Sequence, residues 1–183
     1  GPDRPPVFGM FFNAAGIVEV TRARWESRRR ARSAILRGGL GTAATVSRYL
    51  LGLAMGRDVV APTRIGVELD GQRQDTAEYL ALFITGLVRM AGGMRPYWGE
   101  GPGPLKYTAV AYRPEHLVLA APALLRGRPN RYLTPKHGYV SRNVGRVVLE
   151  LASDCALDGE ILARAPQHAL VVAHGGEAAF LRL

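Results

Sequence analysis

Two Asp-Gly pairs, each placed among short strand-like runs, constrain the fold of this chain more than any other feature. In the first, Val67-Glu68-Leu69 alternates apolar and charged side chains ahead of Asp70-Gly71-Gln72. The second, Leu157-Asp158-Gly159-Glu160, lies between an alternating strand-like run at 147–151 and a short apolar run at 170–172. An Asp-Gly pair between such runs is typical of a tight hairpin turn, so both places predict antiparallel strands.

The second turn carries carboxylates at Asp158 and Glu160, two positions apart, whereas the first has Gln72 where the second has Glu160. Two carboxylates this close can converge on one point and act as a general base. The same tetrapeptide also fits a solvated hairpin tip, because Asp-Gly turns with a following Glu are common on protein surfaces. The residues alone leave both interpretations open.

The remaining pattern predicts a mainly β fold with two or three helices, built as a β-sandwich-like pair of packed sheets. Strands are predicted at 7–13, 65–69, 79–84, 106–112, 136–141, 144–151, 168–173 and 178–182. Helices are predicted in the arginine-rich segment 22–37, at 40–55 and at 116–125, the last ending at Arg126-Gly127. Strands and helices do not alternate, which argues against a Rossmann-type domain.

Length and composition indicate one folded domain. The chain has 183 residues, 48% of them hydrophobic, and no apolar run approaches the roughly 18 residues of a membrane-spanning helix. Residues 1–6 are polar and proline-rich, so we expect a disordered or tag-derived start and a single domain over 7–183. The only cysteine, Cys155, excludes an internal disulfide, and its apolar neighbours favour a buried, inert thiol in a cytoplasmic protein.

The net charge of +9 is concentrated in seven arginines between Arg22 and Arg37. Such a segment favours anionic partners, namely nucleic acid, acidic lipid headgroups or nucleotide phosphates, although a solvated helix face explains it equally well. Arginine outnumbers lysine throughout the chain, which weakens the argument from this segment. A nucleic-acid-binding domain is therefore only a third interpretation, since no interleaved aromatic side chains support it, and we expect no nucleic-acid partner.

The glycine-rich segment 92–104 holds five glycines and three prolines. It predicts a long irregular loop, and it matches neither a P-loop nor the GxGxxG fingerprint. Glycines at 38–42 offer a weak anion site at a helix start, and the four histidines show no metal-ligand spacing. The chain therefore has no recognisable nucleotide site of its own.

A strand ending in Phe12-Asn13-Ala14-Ala15-Gly16-Ile17 comes first, followed by a helical segment and the Asp70-Gly71 turn. A buried strand then leads into Gly92-Gly93-Met94-Arg95-Pro96, a helix ends in Arg-Gly, and Leu157-Asp158-Gly159-Glu160 comes last. This order of segments resembles the C-terminal domain of the diacylglycerol kinase family, bacterial lipid kinases that are similar to sphingosine and NAD kinases. The resemblance covers residues 7–183.

The resemblance implies the NAD kinase/diacylglycerol kinase-like fold and an ATP-dependent lipid kinase, with its N-terminal ATP-binding domain absent from this chain. It places the proton acceptor at Glu160, with Asp158 beside it as a second catalytic residue. Substrate-binding residues are expected at Asn13, Gly16, Gly93, Met94 and Trp98. The partners implied are a diacylglycerol-like lipid, an anionic membrane surface contacted peripherally by segment 22–37 with Trp25, and the N-terminal domain; a homodimer stays open.

ATP and Mg²⁺ would be held through that N-terminal domain, and no cofactor is expected on this chain alone. The family has an Asp-Gly loop for a structural magnesium, but segment 96–104 has no Asp, and Glu100 is offset, so we expect no metal there. Tyr97 and Trp98 could line a lipid entrance or pack into the core. The altered loop also favours an alternative, a non-catalytic lipid-binding or regulatory module on the same fold.

Overall fold

The computed structural model describes residues 5–19, 21–22, 52, 61–90, 93–163 and 169–176. Within these ranges, ten strands form one antiparallel sheet. They are β1 (Phe11–Ala14), β2 (Thr63–Leu69), β3 (Gln72–Arg73), β4 (Ala77–Thr85), β5 (Leu105–Ala111), β6 (Tyr139–Val144), β7 (Arg146–Leu151), β8 (Cys155–Leu157), β9 (Glu160–Leu162) and β10 (Leu170–Ala173).

Helix α1 (Leu117–Arg126) confirms the helix predicted at 116–125, with Gly127 as its C-cap in the left-handed conformation. A short 3₁₀ helix (Pro135–His137) follows. Residues 17–19 and 21–22 are helical and lead into the predicted arginine-rich helix, which begins at residue 22. Most of that helix, Trp25, the glycines at 38–42, nearly all of the predicted helix at 40–55 and the predicted strand at 178–182 lie outside the described residues.

Strand β4 is the centre of the sheet because it has three partners. One edge pairs with β2 through residues 77–79 and with β1 through residues 82–85. The other edge pairs with β5, which in turn pairs with β6. From β4 the sheet runs through β2 and β7 to β10 in one direction, and through β1 and β8 to β9 in the other.

The sheet curls so that β10, at one end of the sheet, approaches the residues ahead of β1. Phe8 lies just before β1 and Gly175 just after β10, although three strands separate β10 from β1 along the sheet. A Cβ built on Gly175 would lie 3.1 Å from Cε1 of Phe8. The concave face gathers one core from seven strands, including Phe12, Ile65, Leu82 and Leu149. The predicted mainly β class is confirmed. The two packed sheets expected from the sequence correspond to two regions of one curled sheet.

A second cluster lies on the other face of β4 and β5, where α1 packs. Ala120 and Leu124 of α1 contact side chains such as Val110 and Tyr139 from the neighbouring strands. Alternate residues of the central strands therefore point into two different cores, which explains why 79–84 is apolar throughout rather than alternating. Within the described ranges, no helix has the length and hydropathy needed to cross a bilayer.

The predicted buried strand at 7–13 is shorter than expected. Pairing begins only at Phe11, and the side chains of Val7 and Phe8 are 70% and 75% exposed. Two features of residues 9–11 explain why the strand begins later than predicted. The backbone ahead of Phe11 donates its hydrogen bonds to a side chain rather than to a strand, and Gly9 lies against Leu157 so closely that a Cβ there would be 2.5 Å from its Cγ.

Candidate functional site

The Asp158-Gly159 pair forms a two-residue hairpin turn between β8 and β9. Asp158 has φ 50° and Gly159 has φ 88°, and Leu157 pairs with Glu160 across the turn. Positive φ at both central residues is the type I′ geometry that matches the twist of a β-hairpin. Asp tolerates this conformation better than most residues, and glycine adopts it freely, so the dipeptide explains the turn.

The carboxylate of Asp158 holds the residues that lead into β1. Its Oδ1 accepts hydrogen bonds from the backbone N–H groups of Met10 and Phe11 at 3.1 and 2.8 Å, and its Oδ2 also accepts from Met10 at 3.0 Å. The N–H of Asp158 donates to the carbonyl oxygen of Phe11 at 2.8 Å. The side chain predicted as catalytic is therefore engaged by backbone donors, and we call this arrangement the Asp158 clamp.

The other Asp-Gly turn is built in the same way. Asp70 has φ 48°, and its Oδ1 accepts from the N–H groups of Gly145 and Arg146 at 2.9 and 2.7 Å. Its Oδ2 also accepts from Gly145, at 3.2 Å, and its N–H donates to the carbonyl of Arg146 at 3.0 Å. This Asp70 clamp holds the chain at Gly145, where it leaves β6 and enters β7.

The two turns differ at the residue that follows the glycine. After Gly71 the position is Gln72, and after Gly159 it is Glu160; both side chains are exposed. Within the described part of the chain, no hydrogen bond or ion pair engages the Glu160 carboxylate. The matched turns therefore share a structural Asp, and only the second presents an uncommitted carboxylate next to it.

Exposed apolar side chains lie at the same end of the sheet as this turn. The strand register places Phe11, Thr85 and Lys106 side by side at that end, next to the C-terminal end of β8. Val7, Phe8 and Met10 precede Phe11 and Val88 follows Thr85, and their side chains are 70%, 75%, 41% and 66% exposed. We call this end, with the Asp158 turn and these four side chains, the turn end.

A series of hydrogen bonds connects the turn end to the loop after β4. Thr85 Oγ1 donates to the carbonyl of Met10 at 2.7 Å and accepts from the N–H of Leu87 at 3.1 Å. The hydroxyl of Tyr97 then donates to the carbonyl oxygens of Leu87 and Val88. Tyr97 is buried, so its ring packs in the interior, and burial raises the pKa of its hydroxyl.

Three glycines of this loop lie flat on the backbone of β6. A Cβ on Gly99, Gly101 or Gly103 would lie 2.3, 2.3 and 1.9 Å from backbone atoms of residues 141–144. A hydrogen bond supports this close packing, because the N–H of Gly99 donates to Ser141 Oγ at 3.0 Å. The glycine-rich composition is thus explained by close backbone packing, and it needs no phosphate ligand.

The residues predicted to bind substrate fall into two groups. Asn13 lies on β1 beside Ala156 of β8, only 2% exposed, and its Oδ1 has no hydrogen-bond partner among the described residues. It is therefore an interior side chain close in the sheet to the Asp158 turn. Gly16 is buried in the turn that starts the first helical segment, beyond the other end of β1.

The other group belongs to the loop between β4 and β5. Gly93 is exposed with φ 75° in a tight turn, where the N–H of Met90 donates to the carbonyl of Met94. Trp98 is partly buried and packs against the α1 cluster. The described contacts do not bring these three predicted residues to Glu160, and their substrate-binding roles stay predictions.

Cys155 is buried, as predicted. Burial, with the nearby Asp154 charge as a smaller cause, raises the pKa of its thiol to about 11. At neutral pH almost no thiolate is present, and the thiolate is the reactive form. This result supports the interpretation of an inert structural thiol.

One cluster of potential metal ligands was not predicted from the sequence. Glu115, His116 and His137 each offer one potential metal-ligand atom, and these atoms all lie within 4.8 Å of one another. The two histidines are 21 positions apart in the sequence and are separated by α1, so no short motif exposes them. His137 Nδ1 lies 2.7 Å from Oε2 of Glu115, and this hydrogen bond lowers the pKa of the Glu115 carboxyl.

The comparisons with known proteins bear on the fold. A scan against protein-family models found no match, and no curated protein matched the sequence. Two solved structures from Bacillus anthracis str. Sterne, each described as a putative diacylglycerol kinase, match with TM-scores of 0.54 and 0.52 and 12% sequence identity. The matches cover 90% and 91% of this chain but only 49% and 50% of those proteins. The chain therefore spans about half their length and has a diacylglycerol kinase-like fold, as predicted.

Proposed function

We propose that this chain is the lipid-binding part of an ATP-dependent lipid kinase, one that transfers the γ-phosphate of ATP to a lipid hydroxyl. The proposal rests on the diacylglycerol kinase-like fold together with the Asp158 turn. The observation that carries it is the uncommitted Glu160 carboxylate, held beside a clamped aspartate, at a position where the otherwise equivalent turn has Gln72.

Glu160 is the proton acceptor in this proposal. A lipid hydroxyl is a poor nucleophile until its proton is removed, and a carboxylate within hydrogen-bond reach can remove it as the oxygen attacks phosphorus. Asp158 contributes differently, because two backbone N–H groups occupy its oxygens. It positions the turn, and with it Glu160, relative to β1.

The apolar side chains of the turn end suit a lipid partner. Val7, Phe8 and Met10 lie just ahead of the strand that the Asp158 clamp holds, and Val88 follows the neighbouring strand β4. A diacylglycerol-like substrate has its hydroxyl at the boundary between headgroup and acyl chains. Apolar side chains beside a carboxylate match that arrangement, and they give the chain a surface for peripheral contact with an anionic membrane.

ATP and Mg²⁺ belong to a nucleotide-binding domain outside this chain. Loop 96–104 does not fit a structural magnesium, because its glycines are pressed onto β6 and Glu100 is its single acid. The carbonyl of Glu100 already accepts from the N–H of Asn143 at 3.0 Å. No step of the proposed reaction is assigned to a metal held by this loop.

The test is phosphoryl transfer from labelled ATP to dioctanoylglycerol by the gene product that contains this chain. Glu160→Gln should lower turnover by ~10²-fold or more, since general-base catalysis contributes that much. Gln72→Ala, the matched change in the other turn, should leave turnover unchanged. Full activity in Glu160→Gln, with folding verified by circular dichroism, would contradict the role of Glu160.

The second candidate is a non-catalytic lipid-binding or regulatory module, favoured by the unusual 96–104 loop. Both candidates predict binding to vesicles of phosphatidylglycerol and diacylglycerol, and binding should fall in a Phe8→Ser/Met10→Ser variant. A Val118→Ser/Leu119→Ser variant is the control, because those α1 side chains are similarly exposed but lie away from the turn end. Vesicle binding without phosphoryl transfer in the unmodified gene product would favour the second candidate.

A further inference from the structure

We propose that Glu115, His116 and His137 form a binding site for one divalent transition-metal ion, with Zn²⁺ as the best fit. Their three potential ligand atoms lie within 4.8 Å of one another. Two imidazoles and one carboxylate are the ligand set that proteins use for Zn²⁺ when one position is left to water. Zn–N and Zn–O bonds of about 2.0–2.1 Å require only small side-chain movements to close this cluster.

The backbone around the cluster is held firmly. The N–H of Glu115 donates to the carbonyl of His137 at 3.0 Å, and the hydroxyl of Tyr139 donates to the carbonyl of Glu115 at 2.9 Å. The N–H of Ala111 donates to the carbonyl of Gly138 at 2.8 Å, next to His137. The segments carrying the three ligands are therefore already joined before any ion binds, so little ordering is needed on binding.

His116 adds an independent observation. It is a non-glycine residue with φ 55° and ψ 32°, at the N-cap of α1, and its side chain makes no capping hydrogen bond. That backbone conformation costs a residue such as His roughly 1 kcal/mol or more. It turns the imidazole toward His137, and the ring centroids are 5.2 Å apart in an edge-to-face arrangement.

The hydrogen bond between Glu115 and His137 is compatible with metal binding. At 2.7 Å, the two atoms are somewhat closer than two ligands of one tetrahedral ion, so the carboxylate must move outward. It can do so because the Glu115 side chain is 62% exposed. His116 is exposed as well, which leaves an open path for the ion from solvent.

This site lies far along the sheet from the turn end. Strand register places Ala111 beside Tyr79, and Val110 beside Tyr139, at the end of β4 and β5 opposite to Thr85 and Lys106. The cluster follows Ala111 and precedes Tyr139. It is therefore separate from the Asp158 turn, and neither the proposed lipid chemistry nor Glu160 depends on it. A metal here would fasten the start of α1 to the start of β6.

The experiment is isothermal titration of the tag-free chain with zinc chloride in a buffer that does not bind metal. We expect one bound Zn²⁺ per chain, with a dissociation constant of about 10 μM or tighter. His137→Gln and His116→Asn should each weaken binding ~10-fold or more, because each removes one of three ligands. Asn is chosen at 116 because it tolerates the left-handed backbone.

His174→Gln is the matched control, since His174 is an exposed histidine outside the cluster. It should bind Zn²⁺ as the unmodified chain does. Nuclear magnetic resonance locates the ion directly: paramagnetic Co²⁺ should broaden the ring signals of His116 and His137 at concentrations that leave His174 sharp. Glu115→Gln is a third variant: it changes a potential metal ligand on an exposed side chain and should leave the fold intact. The proposal is overturned if the unmodified chain binds no Zn²⁺, or if His116→Asn and His137→Gln both bind it undiminished.

Discussion

The matched clamps of Asp158 and Asp70 allow the structural role of one Asp-Gly turn to be measured against the other. We consider Asp158→Asn and Asp70→Asn, because Asn keeps the side-chain shape and also tolerates positive φ. In each clamp, Oδ1 accepts from two successive N–H groups and Oδ2 accepts from the first of them. The two substitutions therefore remove equivalent interactions.

The magnitude follows from those contacts. An Asn oxygen placed at the Oδ1 position still accepts from both donors, but as a neutral group. Hydrogen bonds to charged groups contribute about 1.5–3 kcal/mol and neutral ones about 0.5–1.5 kcal/mol, with exposure reducing the difference. The Asn amide would meet the N–H of Met10 where Oδ2 now accepts at 3.0 Å. We expect each variant to lose about 1–2 kcal/mol of the free energy of unfolding.

Urea unfolding followed by circular dichroism measures both losses, with an unchanged m-value showing that the variants share one unfolded state. The two losses should be similar, because the two carboxylates accept the same set of backbone hydrogen bonds. A stability loss in Asp70→Asn without one in Asp158→Asn would refute the equivalence of the clamps. If Asp158 acts in the reaction only through its position, Asp158→Asn should reduce turnover less than Glu160→Gln does.

Two further predictions concern packing and titration. Gly103→Ala should destabilise the protein by about 3 kcal/mol or prevent folding, because the new Cβ would lie 1.9 Å from the backbone carbonyl carbon of Val144. Gly86→Ala is the control: its Cβ meets nothing within 4 Å, so the melting temperature should not change. A severe effect at Gly86, or none at Gly103, would contradict the packing of the loop on β6. Cys155, with its pKa raised to about 11, should resist iodoacetamide at pH 8 in the folded chain and react after unfolding in urea. Because the folded thiol holds its proton more tightly than the unfolded one, its contribution to stability is complete below about pH 9 and is lost as the pH rises toward 11. Rapid alkylation of the native chain at pH 8 would contradict the burial of this thiol.

Local patterns predicted the elements well where one residue type decides the conformation. Asp70-Gly71 and Asp158-Gly159 both form hairpin turns, and Gly127 ends α1 in the left-handed conformation. These outcomes depend on backbone preferences of the residues themselves, so they are visible in the sequence. The mainly β class follows from the same signals.

What the sequence could not predict depends on contacts between distant segments. Val7 and Phe8 look like strand residues, yet they are exposed because Asp158 takes the N–H groups that follow them. The glycines of the 92–104 loop invite a ligand interpretation, but they lie against the backbone of β6, a strand that is distant in the sequence. His116 and His137 become neighbours only when α1 folds back between β5 and β6.

The Asp158 clamp has a consequence for the order in which the molecule forms. It joins Met10 to a residue 148 positions later, so it is among the last contacts that a growing or refolding chain can make. Hairpins such as β2–β3 can close early, whereas this closure must first overcome the entropy of a long loop, and such topologies fold slowly. The proposed catalytic carboxylate is thus held against β1 only once this long-range contact has formed. An incompletely folded chain, with β1 still loose, cannot present it, so catalytic competence would report the completion of folding.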